Sequence, residues 1–127
     1  MSSGLADTSV FIATEAGRPL GELPELLAVS VITLAELEMG VLHAGDAAAR
    51  GRRLATLSRV RDEVPAIAIT APIASLFAAL SAEMHERGAR AKIHDTWIAS
   101  TAVHLDVPVY TQDSDFDAIP RVTVFRV

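Results

Sequence analysis

The sequence predicts an α/β domain: a central, mainly parallel five-stranded sheet held between two layers of helices. Three observations predict it. Five short apolar runs alternate along the chain with longer segments of helical periodicity. No internal repeat, low-complexity tract or linker interrupts that alternation. The 127 residues, half of them hydrophobic and 21% charged, suit a single domain, 1–127, with one buried core, and not a disordered chain.

The elements follow in order. Ser3 to Ala6 is a short strand ending at Asp7, and Thr8 to Ala16 is the helix after it. Gly17, Pro19 and Gly21 make a loop, and Leu27 to Val31 is the second strand. Thr33-Leu34-Ala35-Glu36 matches a capping box, with threonine and glutamate satisfying each other's end of a helix start; that helix runs to about Ala44. An arginine-rich helix covers Ala47 to about Arg61, and Ala66 to Ile69 is the third strand. Pro72 suits a helix start, where its missing N–H costs nothing. Ile73, Leu76, Phe77, Leu80 and Met84 then share one face at three- and four-residue spacing until Gly88 ends the helix. Asp95 opens a helix to Leu105. Val107 to Thr111 and Val122 to Arg126 are the last strands, with a short helical turn between them.

Composition excludes several classes. The chain has no cysteine, so it forms neither disulfides nor a thiolate zinc site, which suits a reducing cytoplasm. Its four histidines are scattered, with no short His-x-x-x-His pair. The N-terminus lacks a basic region followed by an apolar stretch, so no signal peptide is expected. Val64 to Ala82 is uncharged, but Pro65 and Pro72 break it and Thr70, Ser75 and Ser81 dilute it, so no membrane span is expected. A net charge of −5 weighs against nucleic acid as a partner, yet five arginines between Arg50 and Arg61 leave a bipolar surface open.

In parallel sheets, ligands bind at the carboxyl ends of strands. Four separate elements place a carboxylate there: Asp7 after the first strand, Glu36 in the helix after the second, Asp95 at the start of the helix before the fourth, and Asp113 after the fourth. Asp7, Asp95 and Asp113 could each be a helix cap, and Glu36 could simply complete its capping box. Together they form an all-oxygen set that suits Mg²⁺ or Mn²⁺, because a divalent cation offsets the repulsion among gathered carboxylates. Asp115 is either a further ligand or a solvated turn residue, and Asp117 reads as surface. Thr111 would orient Asp113. Ser9 would orient Asp7 or bind phosphate, or simply cap its helix.

Leu5-Ala6-Asp7-Thr8-Ser9, Thr33-Leu34-Ala35-Glu36-Leu37, Asp95-Thr96-Trp97-Ile98-Ala99-Ser100-Thr101-Ala102 and Thr111-Gln112-Asp113-Ser114-Asp115-Phe116 together resemble the PIN-domain family, and within it the VapC-type toxins of bacterial toxin–antitoxin pairs. The resemblance covers nearly the whole chain, with the motifs in order. It implies a PIN-like α/β/α sandwich and a Mg²⁺- or Mn²⁺-dependent endoribonuclease acting on tRNA or ribosomal RNA. It also implies a homodimer and inhibition by a VapB-type antitoxin whose tail covers the acidic pocket. The family's acidic residues carry over onto Asp7, Glu36, Asp95 and Asp113, with Asp115 as a frequent fifth.

Arg87, Arg90 and Lys92, beside the Asp95 helix, are the candidate RNA contacts; the Arg50 to Arg61 cluster reads as a solvated face or an antitoxin contact. Trp97 is expected in a core or a dimer interface ahead of stacking on a base. His94 flanks Asp95 and is expected to be structural. Two other readings compete: a receiver-like phosphoacceptor domain, which needs a lysine at a late strand end, and an idle scaffold whose acids are all caps. Lys92, the only lysine, precedes a helix.

Overall fold

The computed structural model describes residues 1–127. Strand β1 (Ser3–Ala6) lies at the centre of the sheet because both its faces are apolar or small: Leu5 and Ala6 are fully buried and point to opposite sides. The sheet runs β3-β2-β1-β4-β5, with β2 (Leu26–Ser30), β3 (Ala66–Ile67), β4 (Val109–Thr111) and β5 (Val124–Arg126). Every pairing is parallel, with Leu5 opposite Ala28 on one side and Val109 on the other. All strands therefore finish at the same edge, and the segments after β1, β2 and β4 emerge there together.

The alternation along β1 and β4 divides the core. Leu5 and Val109 face α4 (Ala71–Glu86) and α5 (Ile93–Leu105), packing with Leu80, Met84, Ile98 and Ala102. Ala6 and Tyr110 face α1 (Thr8–Glu15), α2 (Val31–Leu42) and α3 (Ala47–Glu63), packing with Val10, Phe11, Leu37, Val41, Leu57 and Val60. Gly4 is required for the second face. A Cβ there would run into Cδ2 and Cε2 of Tyr110, with Pro24 Cγ 3.1 Å away. Gly4→Ala is expected to lower stability by about 2 kcal/mol despite the entropy an alanine saves in the unfolded chain. An unchanged urea midpoint would contradict that packing.

The helix ends follow local chemistry. Asp46 accepts the Ala49 N–H at 2.7 Å to start α3, and Pro72 lies in the first turn of α4. At the end of α4, Gly88 adopts φ +67. Its N–H bonds to the His85 carbonyl at 3.2 Å, and the Ala89 N–H to the Met84 carbonyl at 2.9 Å, a Schellman closure that a side chain at Gly88 would strain. Ile73, Leu80 and Met84 of the apolar stripe are buried, with Leu76 and Phe77 partly so. No helix is long and apolar enough to cross a membrane.

Some boundaries differ from the sequence reading, for local reasons. The second strand is Leu26–Ser30 and Val31 already belongs to α2. Ser30 caps that helix, accepting the Ile32 N–H at 3.1 Å, so Thr33 and Glu36 form no capping box. Thr33 is instead fully buried, its hydroxyl without a partner, and Glu36 falls in the second turn. Asp95 is the third residue of α5, which begins after Lys92. The third strand is a two-residue edge, the fourth and fifth begin two residues late, and α3 runs on to Glu63. Residues 112–121, between β4 and β5, form turns closed by the Asp117 N–H to Ser114 carbonyl and Ile119 N–H to Phe116 carbonyl bonds.

Candidate active site

Asp7 follows β1 at the common strand edge and is 4% exposed. It caps α1 weakly, with the Ser9 N–H at 3.4 Å. Two hydroxyls hold it more closely: Ser9 Oγ at 2.7 Å and Thr111 Oγ1 at 3.0 Å. All three reach the same oxygen, Oδ2. Ser9 Oγ also accepts the Gln112 N–H at 3.0 Å, which ties the end of β1 to the end of β4. Thr111 Oγ1 stands 3.3 Å from Asp113 Oδ1, and Asp113 Oδ1 accepts the Asp115 N–H at 3.2 Å. A hydroxyl carries one proton, so Thr111 can donate to Asp7 or to Asp113 at any moment, and the shorter contact favours Asp7.

Glu36 reaches the region from α2. It accepts Thr8 Oγ1 at 2.7 Å through Oε1, while its Oε2 stands 3.6 Å from His94 Nδ1. Asp95 comes from the first turn of α5, is 6% exposed, and its Oδ2 is buried with no hydrogen-bond partner. Asp115 lies at the rim, its Oδ2 2.9 Å from Lys92 Nζ.

The electrostatics follow from this placement. Burial pushes the Asp95 carboxyl up to about 7, with the negative charges of Asp7, Glu36 and Asp115 acting in the same direction and Lys92 partly opposing them. Burial also raises Asp7; the Ser9 and Thr111 hydroxyls counter it, and Asp113 adds to it. The five acids therefore share one field. They do not form a finished cage: no three of these carboxylates, with or without an imidazole, are already arranged to hold an ion. Four of the five are otherwise engaged, Asp7 with Ser9 and Thr111, Glu36 with Thr8, Asp113 with Thr111 and the Asp115 N–H, and Asp115 with Lys92; Asp95 is the exception.

The geometry sorts the remaining candidates. Arg90, Lys92 and Asp115 line one open cleft of about 510 Å³ together with Ser114 and Asp117. Arg87 is exposed at the end of α4, outside that lining. Trp97 stacks on Phe77 with ring centroids 3.9 Å apart, so its face is taken within the chain. Asp117 pairs with Arg126 at the surface. Three contributors escaped the sequence reading. Thr8 fixes Glu36, Gln112 links the two strand ends, and Arg126 Nε donates to the Asp113 carbonyl at 3.1 Å. Thr8 lies inside the Asp7 motif and was legible by position. Arg126 depends on which strand is β4's neighbour, and no local pattern reveals that.

A PIN-domain family model matches residues 5–122. The chain belongs to the PIN-domain family, and within it to the VapC type. Ribonuclease VapC5 of Mycobacterium tuberculosis is 45% identical over 99% of this chain and 96% of its own length. Ribonuclease VapC8 of the same organism is 44% identical over 78% of this chain and 89% of its own. The crystal structure of VapBC-5, a toxin–antitoxin system of Mycobacterium tuberculosis, superimposes with a TM-score of 0.84 at 39% identity, covering 100% of this chain and 98% of that one. The PIN domain is a nuclease fold, and its ribonucleases generally use a divalent metal ion.

The residues present fit such an ion in their donor chemistry, though they are not yet gathered around one point. The donors are all oxygens, which suits a hard cation and not zinc or copper. The unpartnered oxygen of Asp95, buried among like charges, is the kind of group a cation satisfies.

Proposed function

We propose that this PIN-domain chain is a Mg²⁺- or Mn²⁺-dependent endoribonuclease, the toxin of a VapBC-type pair, cutting phosphodiester bonds of tRNA or ribosomal RNA in the cytoplasm. The observation that carries the reading is Asp95: a buried carboxylate oxygen without a donor, in the field of Asp7, Glu36 and Asp115.

Asp7, Glu36, Asp95 and Asp113 would hold the ion, with Asp115 within reach. Bound there, a divalent ion supplies counter-charge to the phosphate and lowers the pKa of water. The rest belongs to the chain. Ser9 and Thr111 fix the rotamer of Asp7 through one oxygen, leaving the other for a different partner. Thr8 and His94 flank the two oxygens of Glu36. No side chain needs to form a covalent bond to RNA. Arg90 and Lys92, on the cleft beside Asp115, with Arg87 farther out, supply positive charge along an approaching phosphate backbone.

A VapB-type antitoxin that covers the acidic edge, and a homodimer, complete the proposal. The crystallised toxin–antitoxin relative supports the first. The test is cleavage of total RNA by the purified chain. Mn²⁺ or Mg²⁺ should support cutting, EDTA should stop it, and Asp7→Asn should remove it while circular dichroism stays unchanged. Full activity in EDTA, or in Asp7→Asn, overturns the assignment. Sequencing the new RNA ends names the target.

A further inference from the structure

Lys92 occupies a position that helix chemistry disfavours. It is the residue before α5 and makes no side-chain cap. Serine, threonine, aspartate and asparagine are preferred there, and the positive end of the helix dipole repels a cation. It is also the only lysine in the chain. Its Nζ reaches across to Asp115 Oδ2 at 2.9 Å, joining the start of the Asp95 helix to the turn after β4. That turn also carries Asp113, whose Oδ1 accepts the Asp115 N–H at 3.2 Å. The Lys92 and Asp115 side chains are 73% and 37% exposed, so the contact is solvated, contributes little to stability, and breaks readily.

We propose that Lys92 is a resident counter-cation of the acidic edge: it holds Asp115 by its carboxylate and yields it when a divalent ion binds. The proposal rests on the metal-dependent reading above. An ammonium and a metal ion compete for the same carboxylate. Asp115 therefore has two positions, one on Lys92 and one turned toward Asp95, and the ion selects between them. Once released, the ammonium stands on the cleft that it lines with Arg90, free to meet a phosphate of the RNA. Ion binding and readiness for substrate are thereby linked through one side chain.

A single lysine makes the test direct, because selective ¹³C-lysine labelling gives one εCH₂ resonance. In EDTA, Asp115→Asn should move that resonance toward the position of a free lysine. Mg²⁺ titrated into the otherwise unchanged protein should move it the same way and saturate with the ion. Lys92→Met should tighten Mn²⁺ binding, followed by the EPR signal of free Mn²⁺, by about tenfold. That gain should shrink to under about twofold in an Asp115→Asn background, because the coupling runs through Asp115. Three results overturn the proposal. If Mg²⁺ binds and the lysine resonance stays where it was, Lys92 does not yield Asp115, and the metal reading stands without it. If Lys92→Met tightens Mn²⁺ equally with and without Asp115, the lysine acts only by repelling the ion. If neither ion binds at all, the metal reading falls, and this proposal with it.

Discussion

Asp95→Asn is expected to abolish RNA cleavage and to make the metal-free protein more stable. The two effects have one origin. Asp95 is 6% exposed, its Oδ2 has no partner, and its neighbours Asp7, Glu36 and Asp115 are negative. Asparagine keeps the shape and removes the charge that burial penalises. On the proposed reading it also removes a charge that would hold the divalent ion. Loss of groups that merely support a metal ligand costs about 10- to 100-fold in activity, so loss of a ligand should cost about a thousandfold or more. Melting in EDTA at pH 8 should rise by about 4 °C, equivalent to about 1 kcal/mol. A variant that loses activity and also melts lower in EDTA would mean that Asp95 has a structural partner, and the site would need redrawing.

The second large effect is in pH. The folded Asp95 carboxyl is raised to about 7, while an unfolded aspartate titrates near about 3.9. Between these values the folded chain holds a proton that the unfolded chain has released, so stability falls as pH rises from about 4 through about 7. Asp7, raised in the same direction, adds to the slope. This is the reverse of a salt-bridged aspartate, whose contribution is lost on acidification. Metal binding at the proposed site would have the opposite sign: an ion held by Asp95 would displace its proton, so Mn²⁺ affinity should climb with pH up to about 7 and then level off. Melting curves across pH in EDTA and in saturating Mg²⁺ check both statements. The EDTA curve should decline through neutrality and the Mg²⁺ curve should not. A metal-free stability that rises from pH 5 to pH 8 would remove the case for a proton on Asp95.

Much of this arrangement was legible in the chain. The five strands lie where short apolar runs fall between helical ones, and the parallel order follows from strand–helix alternation. The acids stand out in the sequence because each reads as lying where a strand ends or a helix begins; Asp7, Asp95 and Asp113 do lie near such places, while Glu36 lies in the second turn of α2. What was missed depended on tertiary position. Thr33 and Glu36 match a capping box, but Ser30 offers its hydroxyl one turn earlier, and burial of Thr33 at 0% exposure suits a helix already under way. The third strand looked four residues long because Ile67 and Ile69 alternate; at the sheet edge only Ala66–Ile67 finds a partner, Val29 and Ser30. Arg126 and Lys92 reached the acidic turn through neighbours far away in sequence, and no spacing rule encodes such a reach.

The bridge between strand ends has a consequence for the order in which this molecule becomes dangerous. Asp7 is oriented by Thr111, and Ser9 accepts from Gln112, only after β4 has paired beside β1. During synthesis the acid after β1 emerges first and the threonine that sets it emerges almost last. Until that point the chain also lacks the turn that bears Asp113 and Asp115, and with it Phe116 and Ile119, which pack with Leu5 in the finished core. On the reading proposed above, the site that would cut RNA is complete only when the final strands add to the sheet, a late event in the synthesis of the chain.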